Sequence, residues 1–128
     1  MSTPNDDPRR LRELLSKASQ MAAEHDLHGV LVGLSGPEGD LALPEVIDFV
    51  QSALRVDDSI FRMTRERAVL WVTDARRERA EEIMQRVVGD FYANYCGAKG
   101  PEVSFSYLEV PPDAGPLTVK DVLPRLFC

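Results

Sequence analysis

Apolar residues recur at helical spacing through Leu11, Leu14, Leu15, Ala18, Met21 and Ala22, behind Asp7 as an N-cap candidate and Pro8, whose fixed φ suits a first helical position. This spacing predicts a helix over about residues 8–25. Gly29 then opens Val30-Leu31-Val32-Gly33-Leu34, a short run apolar on both faces, the mark of a strand covered on both sides. Turn-forming residues fill 35–40, and Leu43, Val46, Ile47, Val50 and Leu54 mark one face of a second helix entered at Pro44. Residues 59–63 and 68–72 read as two strands joined at hairpin length by Thr64-Arg65-Glu66-Arg67. Of these, Ala68-Val69-Leu70-Trp71-Val72 is the second doubly apolar run. A third helix, with Asp74 as its cap, sets Ala80, Ile83, Met84, Val87, Val88, Phe91 and Tyr95 opposite Arg77, Glu78, Glu81, Glu82 and Arg86. Gly97 and Gly100-Pro101 end it. Residues 102–110 form a last strand, Pro111–Pro116 a loop, and 118–126 a short helix in which Pro124 predicts an interruption.

After the first helix the order is β-α-β-β-α-β, with the two most apolar segments on the first and third strands. In a split βαβ sheet those strands are central, so order and hydrophobicity agree. The expected fold is an α+β sandwich of ferredoxin-like type: a four-stranded antiparallel sheet with 29–34 and 67–73 central and the helices near 43–54 and 75–95 on one face. The whole chain, 1–128, reads as one domain, with the N-terminal helix preceding a core over about 29–126.

Composition narrows the function classes. The 128 residues are 44 % hydrophobic and 28 % charged, ordinary proportions for one globular core. Fifteen Lys and Arg against 21 Asp and Glu leave a formal charge of −6, which repels a phosphate backbone, so no nucleic-acid partner is expected. Cys96 and Cys128 form no C-x-x-C pair and suit a reducing compartment, so a cytoplasmic protein is expected. No run approaches the ~18 apolar residues of a membrane span, and the polar start lacks a signal-peptide pattern. His25 and His28 flank Asp26 without further ligands and read as solvated histidines, so no metal and no cofactor are expected. Trp71, alternating within an apolar strand, reads as core, and Cys96 as a structural thiol.

The stretch Arg55-Val-Asp-Asp58-Ser-Ile-Phe-Arg62-Met-Thr64-Arg-Glu66-Arg-Ala68-Val-Leu-Trp-Val72 resembles the center of a GGDEF, or diguanylate cyclase, domain. That family reads R-x-x-D, five residues ending in R-x, then G-G-[DE]-E-F and an apolar strand. The spacing is kept, but Thr64-Arg65-Glu66-Arg67-Ala68 stands in place of the signature. Gly39-Asp40 sits where the family has the G-D that opens its second helix, and Thr73-Asp74 resembles its "t-d" before the third. Val103-Ser104-Phe105-Ser106-Tyr107 and Thr118 to Leu123 resemble its last strand and the start of its final helix.

Cyclases of this kind join two GTP molecules by attack of a 3′-hydroxyl on an α-phosphate, chemistry that needs divalent metal on hard oxygen ligands. The family takes these from an acid ending the first strand and from the third signature position. Here the strand ends Gly33-Leu34-Ser35-Gly36 with no carboxylate before Glu38, and only Glu66 remains at the signature. Thr64 and Arg65 add Cβ atoms where paired glycines let nucleotide approach the backbone. The loop after the first strand is shorter than in the family and lacks its F-K-x-I-N segment. Asp40 alone matches a guanine-recognizing residue, and the terminal element with its phosphate Lys has no counterpart. The resemblance therefore implies a catalytically inactive domain in which Asp40, Thr64, Arg65, Glu66, Arg67 and Ala68 are active-site remnants.

The family also has an inhibitory product site built from R-x-x-D and an arginine one helix later. Arg55-Val56-Asp57-Asp58 fits the first and Arg86 the second. The resemblance implies that Arg55, Asp58 and Arg86 hold cyclic di-GMP, as in bacterial signaling: guanidinium forks grip guanine N7 and O6 or a phosphate, and the carboxylate accepts guanine N–H groups. The alternative is that these residues form an ordinary polar loop with surface ion pairs. The domain is then an interaction module, pairing through the apolar stripe of its first helix with a protein partner or a second copy.

Overall fold

The computed structural model describes residues 8–36, 43–55, 58–63, 67–96 and 103–127. The elements run α1 (Pro8–His25), β1 (Gly29–Ser35), α2 (Leu43–Ser52), β2 (Ser59–Arg62), β3 (Arg67–Thr73), α3 (Arg77–Phe91) followed by a π-helical turn over Tyr92–Cys96, β4 (Ser104–Val110) and α4 (Val119–Phe127). The strands form one antiparallel sheet in the order β2-β3-β1-β4. The two doubly apolar runs are therefore central, as their hydrophobicity requires.

Strand alternation divides the core. Val30, Val32 and Leu34 of β1 and Ala68, Leu70 and Val72 of β3 face α2 and α3, where Val46, Ile47, Val50, Ala80, Met84 and Phe91 cover them. Leu31, Val69 and Trp71 point the other way, under Leu11, Leu15, Ala18 and Ala22 of α1 and Val122 and Leu126 of α4. In register, Gly29 lies opposite Thr73, Leu31 opposite Trp71 and Val32 opposite Leu70. A side chain at Gly29 would collide with the Trp71 ring, whose nearest atom lies 1.9 Å from an ideal Cβ position. The missing Cβ is what leaves room for the ring of the one tryptophan at this point of β1.

Three local expectations are corrected. Asp74 does not cap α3: it takes a left-handed φ of 55°, and the N-cap is Arg76, with no side-chain cap bond. The Ala75 N–H instead donates to the His28 carbonyl at 3.1 Å, which turns the chain before the helix starts. Pro124 does not interrupt the last helix, which runs through it to Phe127. Burial of Val122 and Leu126 against the sheet outweighs the one intrahelical bond that proline cannot donate. The third helix is also shorter in α form than its stripe predicts, ending at Phe91 in the π-helical turn. Asp7 and the glycines at 97 and 100 lie outside the described residues. Among the described residues no helix is long and apolar enough to cross a membrane.

Candidate functional site

Where α2 ends, Arg55 and Asp58 close a turn on each other. The Asp58 N–H donates to the Arg55 carbonyl at 3.0 Å, and the Arg55 N–H donates back to Asp58 Oδ2 at 3.0 Å. The Arg55 Nε lies 3.3 Å from the same oxygen. The other carboxylate oxygen, Oδ1, accepts the backbone N–H of Thr73 at 3.0 Å, and Arg55 Nη2 donates to the Thr73 carbonyl. Both ends of this residue at the close of β3 are thus tied to one turn. The Asp58 side chain is only 5 % exposed, against 55 % for Arg55. The carboxylate is a buried brace; the guanidinium lies along the surface with donors to spare.

A small cavity of about 150 Å³ opens beside this brace, lined by Arg55 and Asp58 from the turn, Asp74 and Ala75 from the end of β3, and Arg79, Ile83 and Arg86 from α3. Residues 79, 83 and 86 stand at i, i+4 and i+7, so one helix face presents all three. All three arginines of the cavity come to one place: Arg55, Arg86 and Arg79. The sequence motif names the first two, and the third is the residue it misses. The signal that finds Arg79 is helical periodicity back from Arg86. Arg79 also holds Glu82 through an exposed ion pair at 3.3 Å.

A larger open cavity of about 520 Å³ adjoins it, sharing Asp74, Ala75 and Arg79 and bounded further by Asp26, His28, Arg76, Glu78 and Glu82. Arg76 Nη2 lies 3.3 Å from His28 Nε2, within reach of a guanidinium N–H donated to that ring nitrogen. Farther along α3, Arg77 pairs with Glu81 at 2.8 Å and lies 5.7 Å from the center of the Tyr107 ring. Burial pushes the Tyr107 phenol up from 10.0 to about 12; Glu81 adds to the shift and the Arg77 guanidinium opposes it.

Asp40, Thr64, Arg65 and Glu66 lie outside the described residues. Arg67 and Ala68 open β3: Arg67 is exposed with its guanidinium 5.5 Å from the center of the Phe127 ring, and Ala68 is fully buried opposite Leu34. The hairpin closes through the Met63 N–H on the Arg67 carbonyl at 3.0 Å. Among the described residues no group of three His, Cys, Asp or Glu is placed to hold a metal ion. An apolar groove of about 360 Å³ runs between α1, β2 and α4, over Leu11, Phe61, Met63, Val119 and Leu123.

No protein-family model matches the chain, and no curated protein matches it. Solved structures do. The diguanylate cyclase SiaD of Pseudomonas aeruginosa, in complex with its activator SiaC, superposes with a TM-score of 0.71 at 21 % identity, over 94 % of this chain and 52 % of that one. The FimX GGDEF domain of the same organism gives 0.69 at 13 % identity, over 94 % and 88 %. The fold is that of GGDEF domains. The GGDEF domain of DgcB from Caulobacter crescentus, solved in complex with c-di-GMP, shares this fold with a TM-score of 0.63 at 13 % identity, over 88 % and 80 %. At these identities the likeness is one of architecture, and the GGDEF fold alone carries no activity.

Proposed function

We propose that this GGDEF-fold domain is catalytically inactive and senses cyclic di-GMP through Arg55, Asp58 and Arg86. One observation carries the reading: residues from the α2–β2 turn and from α3, separate in sequence, line one cavity. Among the described residues Arg86 makes no ion pair or hydrogen bond, so its fork is available to guanine N7 and O6 or to a phosphate oxygen. Arg79 comes free at little cost, because its pair with Glu82 is solvent-exposed on both sides. Asp58 has both oxygens engaged by the backbone, so its part is to fix Arg55 and the turn as much as to meet the ligand.

Titration calorimetry of the purified chain with cyclic di-GMP is the test. Binding that Arg86→Ala weakens by about 2 kcal/mol, the usual scale for a lost charge-assisted contact, supports the reading. No heat and no thermal shift at a ligand concentration of about 100 µM leaves the interaction module as the reading. The apolar groove over Leu11, Phe61 and Leu123 is the observation that favors that second reading.

A further inference from the structure

The cavity at Arg55 and Arg86 encloses about 150 Å³, whereas sites for drug-sized ligands run from roughly 300 to 1,000 Å³. A cavity of that size has room for part of a cyclic dinucleotide and not for all of it. The second base need not hang in solvent, because the 520 Å³ cavity lies directly beyond the shared wall of Asp74, Ala75 and Arg79.

The chemistry of that larger cavity is mixed. Arg76 and Arg79 offer N–H forks, while Asp26, Asp74, Glu78 and Glu82 offer carboxylates. A phosphate there would meet more negative charge than positive. Guanine fits the set: O6 and N7 accept from a guanidinium, and the amide N–H and exocyclic amine on the neighboring edge donate to carboxylates. Adenine has no amide N–H, and its exocyclic amine stands where guanine carries O6, so it mismatches both partners. The walls are fixed by backbone: the Ala75 N–H bonds the His28 carbonyl, and Asp26 and Asp74 both hold left-handed φ angles, 52° and 55°, on the two loops that bound the cavity. Among the described residues Arg76 reaches only the His28 ring nitrogen, an exposed contact that can be exchanged onto a ligand.

We propose that the cavity lined by Arg76, Glu78 and Asp74 is the seat of the second guanine of a cyclic dinucleotide whose first guanine lies at Arg55 and Arg86, with Arg79 between the two. This rests on the cyclic di-GMP reading above and adds a second set of contacts and a basis for base selectivity.

Calorimetry on the full chain tests it with cyclic di-GMP and cyclic di-AMP, on the parent and on Arg76→Ala, Glu78→Gln and Arg86→Ala, each checked by thermal unfolding. The expected result is that Arg76→Ala and Glu78→Gln each weaken cyclic di-GMP binding about tenfold without lowering the melting temperature. Cyclic di-AMP should bind the parent at least about tenfold more weakly than cyclic di-GMP. Parent-like affinity in Arg76→Ala and Glu78→Gln, with binding lost in Arg86→Ala, overturns the second seat and leaves the first intact. Equal affinity for the two dinucleotides overturns the guanine assignment. A parent that binds neither ligand overturns both this inference and the reading beneath it.

Discussion

The Asp58 carboxylate holds the backbone N–H of Thr73 at 3.0 Å, while Arg55, braced by the same carboxylate, holds the Thr73 carbonyl. The R-x-x-D motif is thus a structural device in its own right: it ties the turn after α2 to the end of a central strand. From that point the chain turns through Asp74 into the helix that carries Arg79 and Arg86.

Asp58→Ala should therefore destabilize the protein with no ligand present. It strands the Arg55 and Thr73 N–H groups and removes a nearly buried acceptor, a loss of about 3 kcal/mol. Denaturant unfolding checks this. A change below about 0.5 kcal/mol, the scale of an ordinary surface substitution, would show that the brace carries no stability.

Thr73 supplies backbone groups to that brace, while its buried Oγ1 has no hydrogen-bond partner among the described residues. Thr73→Val keeps the β-branched shape and removes the orphaned hydroxyl. Stability should stay level or rise by up to about 1 kcal/mol. A clear loss in thermal unfolding would mean that the hydroxyl is satisfied in solution.

Gly29→Ala should be severe, costing about 3 kcal/mol, because its Cβ would fall within the Trp71 ring. Trp71→Phe removes the clashing part of that ring, and with it the buried Nε1, which has no partner among the described residues. The double variant should then be less unstable than the two single losses added, with a coupling of about 1 kcal/mol or more in a double-mutant cycle. Simple additivity would place the clash elsewhere.

Tyr107 sets an alkaline limit. Its folded pKa, pushed up to about 12 from 10.0, favors the neutral phenol, so its contribution is fully present below about pH 10 and is lost as pH rises from about 10 through about 12. The loss is small because the side chain is half-buried. Tyr107→Phe should flatten this part of the stability–pH curve, measured by unfolding in alkaline buffers, and an unchanged slope would assign it to another group.

Incubated with GTP and Mg²⁺ or Mn²⁺, the protein should form no cyclic di-GMP, since Gly33-Leu34-Ser35-Gly36 carries no strand-ending acid and Thr64-Arg65 stands at the paired glycines. Chromatography of the reaction is the check. Turnover that vanishes in Glu66→Ala would contradict the reading of the signature remnants.

The element order, the central pair of strands and the division of the apolar stripes were legible in the residues themselves. Burial on both faces demands the unbroken runs Val30–Leu34 and Ala68–Val72, and one-sided burial the 3.6-residue stripes of α1, α2 and α3. The resemblance to the R-x-x-D motif and its later arginine points to Arg55, Asp58 and Arg86, which the fold brings to one cavity. Tertiary structure decided what short-range rules left open: Pro124 stays within α4 because Val122 and Leu126 are packed on the sheet, and the chain enters α3 with the Ala75 N–H on the His28 carbonyl and no side-chain cap. It also decided that Asp58 spends its charge on the distant N–H of Thr73, and that Arg79 stands on the wall shared by two cavities. Those facts depend on contacts between residues far apart along the chain, where no periodicity or propensity reaches; only folding brings the partners into range.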